Sequence, residues 1–175
     1  MNPLRGTRGH PSHPPLTDAV IGMYTLATAL AVIGAIGWIE DAAGKGMWLA
    51  LLGGLIASVG AATTGLLDWL QIERGTPVWR TATTHMAVMV TAVVLFGIAA
   101  VIQYDGFHDG DVTTGGLVLA LLGSVTLVGG GWLGGSLVFV HGMRVVGDEQ
   151  AGVGESADPL AHEREPSRPR AAARR

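Results

Sequence analysis

Four long apolar segments separated by short polar turns dominate this chain. They run roughly over residues 16–39, 47–70, 81–103 and 114–141, and the third starts earlier, at Pro77, if Thr76 caps it. Each exceeds the ~20 residues that carry a helix across ~30 Å of hydrocarbon. Four such helices in a soluble protein would leave almost no polar surface. The pattern therefore predicts an all-α integral membrane four-helix bundle with short loops. Composition agrees. Of 175 residues, 49% are hydrophobic and only 14% are charged, where an average soluble domain is about a quarter charged. The first apolar stretch is too long for the core of a secretory signal and lacks a clear cleavage site, so it reads as a permanent span.

Three zones follow along the chain. Residues 1–15 are polar and hold Pro3, Pro11, Pro14 and Pro15, which forbid a regular helix there, with Pro15 suited to open the first span. Residues 16–146 form the four-span domain. Residues 147–175 shift to Asp, Glu, Arg, Pro and Gly and are expected to be a disordered tail.

Lys and Arg set the orientation. With the N-terminus inside, the inner segments hold Arg5, Arg8, Arg74, Arg80, Arg144 and the tail residues Arg164, Arg168, Arg170, Arg174 and Arg175. The outer segments hold only Lys45. This asymmetry predicts an N-in, C-in topology with the tail in the cytoplasm. Glu40, Asp41, Asp105, Asp109 and Asp111 then fall outside. Trp38 and Trp48 would belt the outer interface, Trp69 and Trp79 the inner one.

Small residues recur at four-residue spacing: Gly53, Ala57 and Ala61 in the second span, Gly130/Gly134 and Gly131/Gly135 in the fourth. In lipid such spacing permits close helix contact, and it could also admit a flat cofactor. Gly129-Gly130-Gly131 predicts a kink or tilt in the fourth span. No internal repeat is evident among the four spans, which argues against a typical secondary carrier.

Chemistry is confined by what is missing. There is no cysteine, hence no disulfide, thiolate, iron–sulfur cluster or cysteine zinc site. No basic stripe suggests nucleic acid. No nucleophile elbow, phosphate loop or dinucleotide fingerprint occurs in a fitting context, so the chain is not read as an enzyme on its own.

Histidine is the informative residue. Of six, His10, His13, His85 and His141 map to the inner half, and Asp68 joins them near the end of the second span. Ionisable groups at membrane depth usually face the bundle interior and meet partners. His10, His13, Asp68, His85 and His141 are therefore expected to converge and are candidate metal ligands, since imidazole suits copper, zinc, iron and nickel. His85 and His141, on antiparallel neighbours at matching depth, are the candidate pair for a haem iron. In the alternative reading, a structural polar cluster, Arg74 or Arg80 could neutralise Asp68.

Gly9-His-Pro-Ser-His-Pro-Pro-Leu16, Gly65-Leu-Leu-Asp-Trp-Leu70 with Arg74-Gly-Thr76, His85, and Gly130-Gly-Trp-Leu-Gly-Gly135 running into His141-Gly-Met-Arg-Val145 resemble domain of unknown function 2231. This is a family of small bacterial predicted membrane proteins. The resemblance covers roughly residues 9–146. It implies four spans, a bacterial inner (plasma) membrane, and motif positions for the five residues just named. Members with an attached Rieske domain point toward redox; this chain lacks that domain.

Two functions stay open at this stage. One is a membrane redox protein holding a single haem b, or a copper or iron ion, near the cytoplasmic face. The other is a non-catalytic scaffold or assembly subunit with structural histidines. The expected surroundings are the lipid bilayer and a membrane partner protein, with a homo-oligomer left open.

Overall fold

The computed structural model describes residues 3–7 and 10–145. The expected tail at 147–175 lies outside the described residues. Four helices follow a short N-terminal segment: α1 His13–Ala35, α2 Glu40–Trp69, α3 Pro77–Asp109 and α4 Thr114–Phe139. All four are long and apolar enough to cross a membrane, so a lipid bilayer is their environment. Ahead of them, a 3-10 turn at Pro3–Arg5 leads into a two-stranded hairpin, β1 Gly6–Thr7 and β2 His10–Pro11.

The helix ends depart from the sequence expectation in instructive ways. α1 begins at His13, not Leu16, because Pro14 and Pro15 sit in the first turn, where no helical acceptor awaits their missing N–H groups. His13 is thus a helical residue. α2 starts at Glu40 rather than Met47, with Glu40 and Asp41 in its first turn, where carboxylates complement the helix dipole. α3 does start at Pro77, and Thr76 accepts a hydrogen bond from the Trp79 N–H at 3.3 Å. α4 runs unbroken through Gly129–Gly131.

The helices alternate direction and pack in a ring, α1 on α2, α2 on α3, α3 on α4 and α4 on α1, with the tightest contacts inside the hairpins α1–α2 and α3–α4. The two hairpins are copies of one plan. All five buried positions of α1 recur in α3 at a constant offset of 72 residues: Val20 and Ala92, Tyr24 and Phe96, Ala27 and Ala99, Ala31 and Gln103, Gly34 and Gly106. All six buried positions of α4 lie 69 residues after buried positions of α2: Met47 and Gly116, Leu51 and Ala120, Gly54 and Gly123, Ser58 and Leu127, Ala61 and Gly130, Asp68 and Leu137. The chain does hold an internal repeat, contrary to the sequence reading. It is a parallel one, with both hairpins running the same way about the bundle axis.

At the centre, the repeat-related rings of Tyr24 and Phe96 stack at 3.9 Å, 8° from parallel. Each ring needs a glycine. A Cβ on Gly54 would stand 2.4 Å from the Tyr24 ring, and one on Gly123 would stand 2.9 Å from the Phe96 ring. The glycine spacing therefore seats side chains as well as bringing helices together.

Candidate functional site

At the end of the bundle that carries His13, Asp68 and His85, a cavity of about 1340 Å³ opens between the two hairpins. Its wall is overwhelmingly apolar, but His10, His13, Asp68, His85 and Arg144 all reach it. Its mouth includes Val59 and Val90, 69% and 55% exposed, on the surface that faces lipid.

His13 and His85 occupy equivalent places in the repeat, 72 residues apart like the buried pairs. The His13 Nδ1 lies 2.9 Å from the Ala61 carbonyl oxygen and 3.2 Å from the Thr64 hydroxyl. The His85 Nδ1 lies 2.8 Å from the Gly130 carbonyl oxygen. Ala61 and Gly130 are themselves a repeat pair. A carbonyl can only accept, so Nδ1 carries the proton in both neutral rings and each Nε2 keeps its lone pair. Neither Nε2 has a protein partner among the described residues.

A glycine makes room for each imidazole. A Cβ on Gly65 would meet the His13 Cε1 at 2.8 Å, and one on Gly134 would meet the His85 Cε1 at 3.1 Å. Gly65 and Gly134 again share the α2–α4 offset, each four residues after its carbonyl acceptor. Carbonyl, imidazole and glycine thus form one unit that occurs twice, once per hairpin, and both imidazoles line one cavity.

Asp68 breaks the repeat, since its counterpart is Leu137. It is only 5% exposed, and its Oδ1 accepts from the Arg5 Nε at 2.8 Å. The sequence reading nominated Arg74 or Arg80; both are exposed, and Arg5 reaches the carboxylate from 63 residues away. The Arg5 carbonyl in turn accepts from the Ser12 N–H at 3.3 Å and from the Arg144 guanidinium. The N-terminal hairpin is thereby tied to both α2 and the segment after α4.

His141 lies at the same end but off the cavity wall, with its Nε2 3.2 Å from the Thr81 hydroxyl. Of the five residues singled out by sequence, four share the cavity and His141 does not. Among the described residues, no group of three or more His, Cys, Asp or Glu side chains is arranged to hold a metal ion. Arg5, Arg144 and Gly65 escaped sequence reasoning as contributors. The signal that could have found the His13–His85 pairing is the eleven-residue step from histidine to aromatic ring, His13 to Tyr24 and His85 to Phe96.

The architecture defines a multi-pass α-helical membrane protein made of two repeated helical hairpins, with a histidine-bearing cavity between them. More particularly, the chain belongs to the DUF2231 family of predicted membrane proteins, whose model matches residues 9–147. No curated protein and no solved structure matches it.

Proposed function

We propose that this protein is a membrane redox carrier that holds one cofactor between His13 and His85. One observation carries the reading. Two repeat-related imidazoles, each with Nδ1–H held by a main-chain carbonyl and with no partner for Nε2 among the described residues, line a single apolar cavity. Fixing the far nitrogen on a carbonyl sets the tautomer and raises the basicity of the near one, as metal-ligating histidines require.

The donor set favours a haem over a bare copper or iron ion. A metal ion held by protein alone usually takes three or four side-chain ligands, and no such group stands here among the described residues. Two imidazoles, His13 and His85, would suit a macrocycle that brings its own nitrogens. Such a group, when bound, supplies one-electron chemistry. The protein orients it, excludes water and sets its electrostatics. His85 keeps its candidate role in this reading. His141 passes its role to His13 and becomes a support for Thr81, while His10 and Asp68 line the approach.

We place the cavity at the cytoplasmic side of a bacterial inner membrane, with both termini inside. The support is the arginine asymmetry: Arg5, Arg74, Arg80 and Arg144 lie at the cavity end, and Lys45 at the other. A reporter active only in the periplasm should stay silent after Arg175 and work at Ala43; the reverse result overturns the orientation.

The central test is an absorption spectrum, with metal analysis, of detergent-purified protein expressed with haem precursor and trace metals. Wild type should show a low-spin Soret band. His13→Ala and His85→Ala should each lose it, and His141→Ala should keep it. Wild-type protein carrying neither haem nor metal would sink the redox reading in favour of a scaffold.

A further inference from the structure

Among the described residues, Arg144 is the one strong cation of the cavity wall without an anionic partner. Arg5 is neutralised by Asp68. Arg144 forms no ion pair among the described residues; its guanidinium donates only to the Arg5 carbonyl. Asp18, the other acid of the wall, is exposed and forms no ion pair among the described residues. Arg144 itself stands at φ 64, in the left-handed region that a side-chain-bearing residue rarely adopts. Two neighbours fix it there: the Met143 N–H donates to the Leu137 carbonyl at 2.9 Å, and the Val145 N–H to Gly142 at 3.2 Å. A residue held in that region, when glycine would be free to adopt it, directs attention to its side chain.

We infer that Arg144 is the anchor for a carboxylate arm of the cofactor, so that the ligand of this cavity is a carboxylated tetrapyrrole and not a bare metal ion. The inference rests on the proposed function and sharpens it. A haem is apolar over its ring and anionic at one edge, and the cavity has the same polarity. His13 and His85 stand within an apolar wall, and Arg144 stands where the chain leaves α4 for the water side. A guanidinium meets a carboxylate through two parallel N–H donors, the strongest geometry available to such a pair. The Arg5 carbonyl uses one of its donors and steadies the group. It leaves the other donors for a ligand.

The experiment titrates full-length, cofactor-free protein in detergent with haem b and with haem b dimethyl ester, whose carboxylates are blocked, following the Soret band. Wild type should bind haem at least tenfold more tightly than the ester. Arg144→Gly, which accepts the positive φ without strain, should bind haem as weakly as ester and leave ester binding unchanged. Arg144→Lys should fall between. Equal wild-type affinity for haem and ester, or an Arg144→Gly protein that binds haem like wild type, would overturn the anchor and leave the His13–His85 site standing. Tight binding of copper or iron ions with no Soret response would overturn the tetrapyrrole while leaving a metal centre. A wild type that binds none of these probes overturns both readings.

Discussion

At the acidic end of the bundle, the inward position of the second hairpin is filled by Gln103, fully buried and saturated with hydrogen bonds. Its amide donates to the Asp111 carbonyl at 2.7 Å and the Gly44 carbonyl at 3.4 Å, and its oxygen accepts from the Thr113 N–H and hydroxyl at 3.0 Å. At the arginine end, the inward histidines are satisfied on one nitrogen only and face a cavity. The same repeated hairpin is thus sealed at one end and open at the other. The difference lies in how the polar groups are partnered. Gln103 joins α3, the turn into α4, and α2, across the hairpin boundary. His13 and His85 each stay within their own hairpin, and the bonds that cross the boundary at that end, Trp69 to Thr83 and Arg144 to the Arg5 carbonyl, leave the histidines out. Buried polar groups that are fully paired fix structure, and groups left with a spare lone pair are available to a ligand.

The largest expected effect breaks the sealed end. Gln103→Leu removes the partner of the Asp111 and Gly44 carbonyls and of the Thr113 N–H, a loss of about 3 kcal/mol, measurable as a lowered midpoint of unfolding in detergent. The protein that stays folded should keep its ligand-binding site. If stability is unchanged, the acidic end is not the clamp described here.

A matched pair of glycine substitutions sharpens the contrast. In Gly123→Ala the new methyl meets the face of the stacked Phe96 ring, which has nowhere to move, and should cost about 2 kcal/mol. In Gly134→Ala the new methyl meets the edge of His85, which can turn into open space; the cost should stay below about 1 kcal/mol. Its signature should be a perturbed or lost Soret band instead. Equal stability losses would mean that the cavity end is packed as firmly as the centre.

The two ion pairs among the described residues complete the series. Asp68→Ala leaves the Arg5 guanidinium, 24% exposed, without its carboxylate and should cost about 2 kcal/mol, short of a fully buried pair because water still reaches the arginine. Lys45 and Asp41 form an exposed pair one helical turn apart at the sealed end; Lys45→Ala should change stability by less than about 0.5 kcal/mol. Chemical denaturation in one detergent compares them directly. A larger effect at Lys45 would contradict the roles given to the two ends.

The spans were legible because hydropathy and length decide them, and the Thr76–Pro77 start was legible because capping is local. That His10, His13, Asp68, His85 and His141 share one end of the bundle followed from alternating helix direction alone. The pairing within that cluster was hidden. His85 and His141 lie at matching depth on neighbouring helices, but depth does not fix azimuth, and His141 turns to Thr81 while His85 turns to Gly130. The repeat was hidden because it survives in burial more than in identity: Ala31 answers to Gln103, Met47 to Gly116 and Asp68 to Leu137. The Arg5 partner of Asp68 was hidden because it comes from a segment with no span-like pattern of its own.

The confinement of each histidine to its own hairpin also bears on the order of synthesis. A ribosome delivers α1 and α2 to the membrane before α3 and α4 exist. His13 already has Ala61 and Thr64, and Asp68 already has Arg5, all within the first 69 residues. This first half can leave the insertion machinery without presenting a bare imidazole or carboxylate to lipid, where each would be costly. The second half repeats the arrangement with His85 and Gly130. The cleft itself arises only when the two halves meet, so whatever fills it must arrive after insertion is complete, from the bilayer or from the water beside it.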